Sequence, residues 1–239
     1  MALEPVSSEP GPWRLAGLTW PQAARLAPYS VLAVPLGATE QHGPHLPFTV
    51  DTEVADALCG RLAAARGSVV VAPALPYGSS GEHAGFPGTL SIGQRALELL
   101  LLELVRSADD FAGVVLVCGH GGNAVPLHRA VTRLRAEGRR VLAWSPSGPS
   151  DDSHAGRTET SAMLALRPDA VRTGLAERGN TTGLAQLLPA LRAGGLAAVT
   201  PNGVLGDPAG ADADEGRRLL DDWTAALLAA YDGWAGPVR

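Results

Sequence analysis

The 239-residue sequence contains no lysine; its 19 basic residues are all arginine, set against 24 acidic ones for a net charge of −5. We read the preference for Arg and Ala as the coding bias of a GC-rich genome. A net-negative chain offers nothing that repays a phosphate backbone, so nucleic acid is excluded as a partner. Cysteine is nearly as scarce. Cys59 and Cys118 lie far apart and in no metal-like pair, which excludes a disulfide framework and makes a reducing cytoplasm the expected compartment. The N-terminal MALEPVSSEPGPW lacks the basic run and apolar stretch of a secretory signal. No apolar run approaches the roughly 20 residues of a membrane span; residues 96–105 are interrupted by Glu98 and Glu103. A soluble protein without a membrane partner is expected. Charged residues make up only 18%, too few for disorder, and hydrophobic residues 46%, enough for a full core.

What is present is an alternation. VLAVPL (31–36), SVVVAPAL (68–75), GVVLVC (113–118) and VLAW (141–144) are short continuous apolar runs, the pattern of strands buried on both faces of a parallel sheet. Helical spacing occupies 52–65, 91–107, 124–137, 160–166 and about 213–230. LAAVT (196–200) is a candidate fifth strand. The expected architecture is α/β: a central, mostly parallel sheet with helices on both faces. Residues 1–18, rich in Pro, Gly and Ser, read as an N-terminal arm, and 19–239 as a single domain.

In open parallel sheets, ligands bind beyond the carboxyl ends of the strands. Here each of the four runs leads into a loop loaded with Gly, His and carboxylates, and five of the six histidines sit in those loops. The first loop carries Glu40-Gln41-His42, whose outer residues point the same way in an extended segment. Asp51 follows at the start of a helix, where a first-turn acid is also an ordinary choice. His45, held between Pro44 and Pro47, reads as a bystander. His120 lies in Cys-Gly-His-Gly-Gly-Asn, whose glycines let the backbone turn sharply. The formal G-x-G-x-x-A match there would suggest a dinucleotide site. A His inside the phosphate turn and the lack of an acid after the next strand oppose it. In His154-Ala-Gly-Arg-Thr-Glu159, Thr158 reads as an N-cap with Glu159 in the first helical turn. His154 is a proton-transfer candidate. Two imidazoles and three carboxylates suit one or two first-row ions such as Zn²⁺, Mn²⁺ or Fe²⁺ and a metal-assisted hydrolysis. Gly78-Ser79-Ser80-Gly81 is no nucleophile elbow.

At these loops the sequence resembles the creatininase family. VPLGATEQHGPHLPFTVDT, YGSSGEHAGFPGTLSIG, GHGGN and HAGRTETSAML occur in order between residues 34 and 164, and PNGVLGDPAGADADEG extends the match. The resemblance implies a three-layer α/β/α fold, two divalent metal ions (Zn, Fe or Mn) and a homo-oligomer, commonly a hexamer in the family. It implies Glu40, His42, Asp51, His120 and Glu159 as metal ligands, with Asp51 bridging. His154 is implied as the catalytic histidine, acting with Glu159. Gly78, Ser79, Ser80 and His83 match a substrate-side loop, and Asp151 is a further candidate substrate contact. Creatinine-cleaving members carry Glu where Gly122 stands, and Ser147–Ser153 contains no Trp, which argues against creatinine. The pattern is most similar to members that remove a modified C-terminal Val-Tyr dipeptide from a short precursor peptide. A small cyclic amidase, a formamide deformylase and a metal-stabilised binding protein without turnover are the alternatives.

Overall fold

The computed structural model describes residues 13–236. Five strands, β1 (Trp13–Arg14), β2 (Val31–Leu36), β3 (Val69–Val71), β4 (Gly113–Cys118) and β5 (Val141–Trp144), form one sheet in the order β1-β3-β2-β4-β5. Every pairing is parallel, and the longest ladder runs from Val31 opposite Gly113 to Leu36 opposite Cys118. The helices are α1 (Trp20–Leu26), α2 (Val50–Ala65), α3 (Gly93–Arg106), α4 (Ala124–Ala136), α5 (Arg157–Leu166), α6 (Leu184–Gly194) and α7 (Ala213–Ala235).

Side chains of a strand alternate between faces, and the two faces here have separate cores. Val31, Ala33, Val115 and Val117 pack with residues of α2, α5 and α7. Leu32, Val34, Leu36 and Leu116 pack with α3 and α4. Because both faces are covered, β2 and β4 are buried along their whole length, which is why their sequences are unbroken apolar runs rather than alternating ones. The result is the expected three-layer α/β/α architecture.

Topology then places the chemistry. The chain leaves β2 for β3 on one side and returns to β4 on the other. The loops after β2 and β4 therefore diverge at a switch point, where a crevice opens at the carboxyl edge. Asn123 ties three of the loops together. Fully buried, it accepts from Ser79 N at 2.8 Å and donates to Gly37 O at 3.0 Å.

Three local expectations are corrected. The run 196–200 is not a strand: Leu196–Ala198 form a 3-10 turn after Gly195, and Leu196 packs with Leu187 and Leu205 away from the sheet. The fifth strand is Trp13–Arg14, inside the expected arm. Trp13 packs against the α3/α4 core, and Arg14 pairs with Asp56 at 2.7 Å. Residues 1–12 of that arm lie outside the described residues. Thr158 is not an N-cap. The N-cap is Gly156, two residues earlier, and Asp152 accepts from the backbone N–H groups of Arg157 and Thr158 at 2.8 and 2.7 Å. A carboxylate from the preceding loop thus caps the helix from outside. Helix α6, with Pro189 inside it, went unread.

Leu116 is central in the sheet and fully buried. Leu116→Ala is expected to lower stability by about 2–5 kcal/mol, through lost burial and the cavity left behind. Urea unfolding measures it, and a loss under about 1 kcal/mol would contradict this packing.

Candidate metal centre

The loop after β2 turns Glu40 and His42 inward as the sequence implied, and both are completely buried. Asp51 sits in the first turn of α2, His120 just past β4 and Glu159 in the first turn of α5. Their ligand atoms converge in overlapping trios. Glu40, Asp51 and His120 form one, His42, Asp51 and Glu159 a second, each with its atoms within 4.8 Å of one another.

Asp51 belongs to both. Its Oδ1 lies 3.3 Å from His42 Nε2, and its Oδ2 lies 3.5 Å from His120 Nδ1. One oxygen toward each trio is the arrangement of a bridging carboxylate. His120 Nε2 lies 3.1 Å from Glu40 Oε2, and His42 Nε2 lies 3.7 Å from Glu159 Oε2. Among the described residues, both Glu40 oxygens, His42 Nε2 and Asp51 Oδ2 are buried without a hydrogen-bond partner. Buried polar atoms are nearly always satisfied. Four unsatisfied donor atoms facing one another fit one or two cations, and imidazole with carboxylate is the donor set of a first-row ion.

The glycines are demanded by this crowding. A Cβ on Gly119 would lie 2.2 Å from Asp51 O. One on Gly122 would lie 2.1 Å from Glu82 Oε1 and 2.4 Å from His120 Nε2.

His154 also stands near Glu40 and His42, in a third trio. Its Nε2 lies 2.8 Å from Gln41 O, while Nδ1 faces Glu40 Oε1 at 3.8 Å. With Nε2–H donating to that carbonyl, Nδ1 is left free to exchange a proton. Ala155 beside it holds φ 52°, a left-handed conformation of the kind that stores strain at functional sites. Its N–H donates to Glu159 Oε2 at 2.6 Å. His83 is closer to the cluster than a substrate loop requires, with Nε2 at 3.3 Å from Glu40 Oε1. Ser80 Oγ lies 3.4 Å from His120 Nε2.

Above the cluster opens a cavity of about 680 Å³. Ser79, Glu82, His83, His120 and His154 line its floor, and Leu184, Leu188, Leu191, Leu196 and Leu205 form an apolar wall. Gly78 and Ser80 lie behind this surface. Asp151, expected on the substrate side, is exposed and does not line the cavity. His45 is buried but faces away, paired with Thr160 Oγ1 at 2.9 Å. Glu82, Asn123 and the wall on α6 escaped the sequence reading. Only Glu82 carried a signal, as the acid beside His83 in a glycine-rich loop.

The charges are tightly coupled. Burial pushes the imidazoles of His42 and His120 down. Asp51, Glu159 and Glu40 outweigh it at His42, raising it to about 10, and Glu40, Asp51 and Glu82 raise His120 to about 9. Burial raises the Asp51 carboxyl, with Glu40 adding to it, and lifts Glu159 to about 7. It lowers His83 to about 4 and His154 well below the ordinary range, where His42 adds repulsion. Burial also acts to raise Glu40, but His120, His83 and His154 together hold it low.

A parallel α/β/α sheet with imidazoles and carboxylates gathered at its carboxyl edge defines a metal-dependent hydrolase. Comparison with known proteins agrees. The family profile described as creatininase, creatinine amidohydrolase, matches residues 16–231. The chain therefore belongs to the creatininase family, and it is a hydrolase of amide bonds. It is 52% identical over 211 residues to the mycofactocin precursor peptide peptidase of Mycolicibacterium smegmatis, covering 85% of each chain. It is 46% identical to the protein of that name from Mycobacterium ulcerans, over 92% of this chain and 88% of that one. Among solved structures, creatininase Mn superposes with a TM-score of 0.79 at 27% identity, over 94% of this chain and 99% of that one. A mutant creatininase of the Zn-Zn type gives 0.78 at 27%, over 94% and 98%.

The raised imidazoles set a pH dependence. In the metal-free chain their protonated form stabilises the fold fully below the ordinary value of 6.5, and that contribution is lost as pH rises through about 9 and 10. Thermal midpoints of the metal-free protein should fall between pH 7 and 10. A divalent ion added in that window should release protons, because the ligating imidazoles must be neutral. A flat midpoint together with no proton release on titration would contradict this account.

Proposed function

We propose that the chain is the metal-dependent peptidase that removes the modified C-terminal Val-Tyr dipeptide from a mycofactocin precursor peptide. The observation that carries this reading is the cavity. A buried imidazole–carboxylate cluster forms the floor of an open, leucine-walled space large enough for the end of an extended peptide. The relatives' shared name supports it. Creatinine is disfavoured, because position 122 has no room for the Glu of creatinine-cleaving members.

Glu40, Asp51 and His120 would hold one ion and His42, Asp51 and Glu159 the other, as Zn²⁺, Mn²⁺ or Fe²⁺. Such ions lower the pKa of water to about 7 and polarise a carbonyl. The chain's own groups do the rest. Ala155 N–H fixes the Glu159 carboxylate. Gln41 O fixes the His154 ring, so that the free Nδ1 can take up a proton released in the reaction and pass it to the leaving nitrogen. The leucine wall holds the apolar end of the peptide and excludes water.

We assign the protein to the cytoplasm. Both cysteines are free and buried, and among the described residues no helix is long and apolar enough to cross a membrane. A homo-oligomer is part of the reading. Trp20 and Tyr29 are 82% and 81% exposed, and aromatic residues are enriched at interfaces. The described residues form one metal-hydrolase domain in this reading.

The metal-loaded protein is expected to release the dipeptide from the modified precursor, detected by mass. Turnover of creatinine or a formamidopyrimidine with the peptide left intact would sink the proposal. Asp51→Asn should lose both ions and Glu159→Gln one, by elemental analysis. His154→Ala should keep its metal while kcat falls about 10²–10⁴-fold; full activity in that variant would remove His154 from the chemistry. Leu188→Asp, on the exposed rim of the wall, should raise KM with kcat little changed, the signature of lost uniform binding.

A further inference from the structure

The carboxylates of the two trios are committed. Glu40 and Asp51 are buried against imidazoles, and Glu159 is bonded to the backbone. Glu82 differs from them. It stands in the short turn Gly81–His83 after β3, lines the cavity, and its side chain is 34% exposed. Its Oε1 lies 3.6 Å from His120 Nε2, the same nitrogen that faces Glu40 Oε2. It reaches that point by filling the volume a side chain at position 122 would take. The turn is pinned from behind, since a Cβ on Gly195 would lie 2.8 Å from Glu82 O.

His154 occupies the other flank. Glu40 Oε2 faces His120 and, beyond it, Glu82, whereas Glu40 Oε1 faces His83 and His154. Two proton-handling groups therefore stand on opposite sides of one buried carboxylate, both open to the cavity. Amide hydrolysis needs two proton transfers, one away from the attacking water and one to the leaving nitrogen.

We propose that Glu82 is a catalytic residue, the general base for the attacking water. The water oxygen bonds to the carbonyl carbon as its proton passes to the Glu82 carboxylate. Solvent carries that proton from Glu82 to the free Nδ1 of His154, and as the C–N bond breaks its electron pair stays on nitrogen, which takes the proton from His154. Glu82 and His154 are thereby returned to their starting forms, one water is consumed, and an acid and an amine are formed. This inference rests on the cavity being the site of amide hydrolysis.

The test compares wild type, Glu82→Gln and Glu82→Ala, all metal-loaded, on the modified precursor peptide, with metal content measured for each. Glu82→Gln preserves shape and should lower kcat about 10²–10³-fold with KM and metal content unchanged. Glu82→Ala should be equally slow and should regain activity saturably with added formate, which fits the vacated space. Activity of Glu82→Gln within about threefold of wild type overturns the proposal. So does loss of bound metal, which would make Glu82 a ligand, or a slow Glu82→Ala that formate does not rescue, which would make its part structural. A wild type that cleaves no peptide overturns the substrate reading itself, a result distinct from any of these.

Discussion

The attraction between the Asp51 carboxylate and the two imidazoles it faces is the contact on which the site depends. Glu40 and Asp51 are both within 3% of full burial. Two like charges removed from water at such range are costly unless compensated. His42 and His120 supply that compensation in the metal-free chain, which is why their protonated forms are favoured so strongly. A cation in the same place does the same work with more charge. The site is therefore a well of negative potential that something positive must fill, and the glycines at 119 and 122 let the chain close around it.

The sheet explains why such a well can exist in a stable protein. Its two apolar faces are buried under separate helical layers, so the fold's stability is invested away from the carboxyl edge. The loops there need only be held in register with one another. Asn123 does this with two hydrogen bonds, and Asp152 does it for the start of α5. Glu159 reaches the cluster because that helix begins where it does.

Much of this was legible in the residues. Unbroken Val- and Leu-rich runs told buried parallel strands from surface ones, and the crowding of histidines after those runs marked one edge of the sheet. Glu40 and His42 could be paired because a two-residue spacing has only one meaning in an extended segment. Other features had no such signal. LAAVT has the composition of a strand, yet it follows a left-handed glycine and packs on α6. Trp13–Arg14 is too short to show a period, and its place is fixed by pairing with Val70 and Val71 of β3, far along the chain. Thr158 has the chemistry of a cap but is outcompeted by a carboxylate with two oxygens to offer.

By itself the sequence determined the layer architecture and the edge at which chemistry occurs, and it offered the polar side chains gathered there. These follow from periodicity and from loop content, which are local properties. The tertiary structure alone decided that Asp51 turns one oxygen to each imidazole, that Gln41 O sets the orientation of His154, and that Glu82 occupies the space over Gly122. It alone raised the leucine wall from α6. Each of these is a contact between segments distant in the chain, and no spacing along the sequence encodes which side chain meets which across a folded cleft.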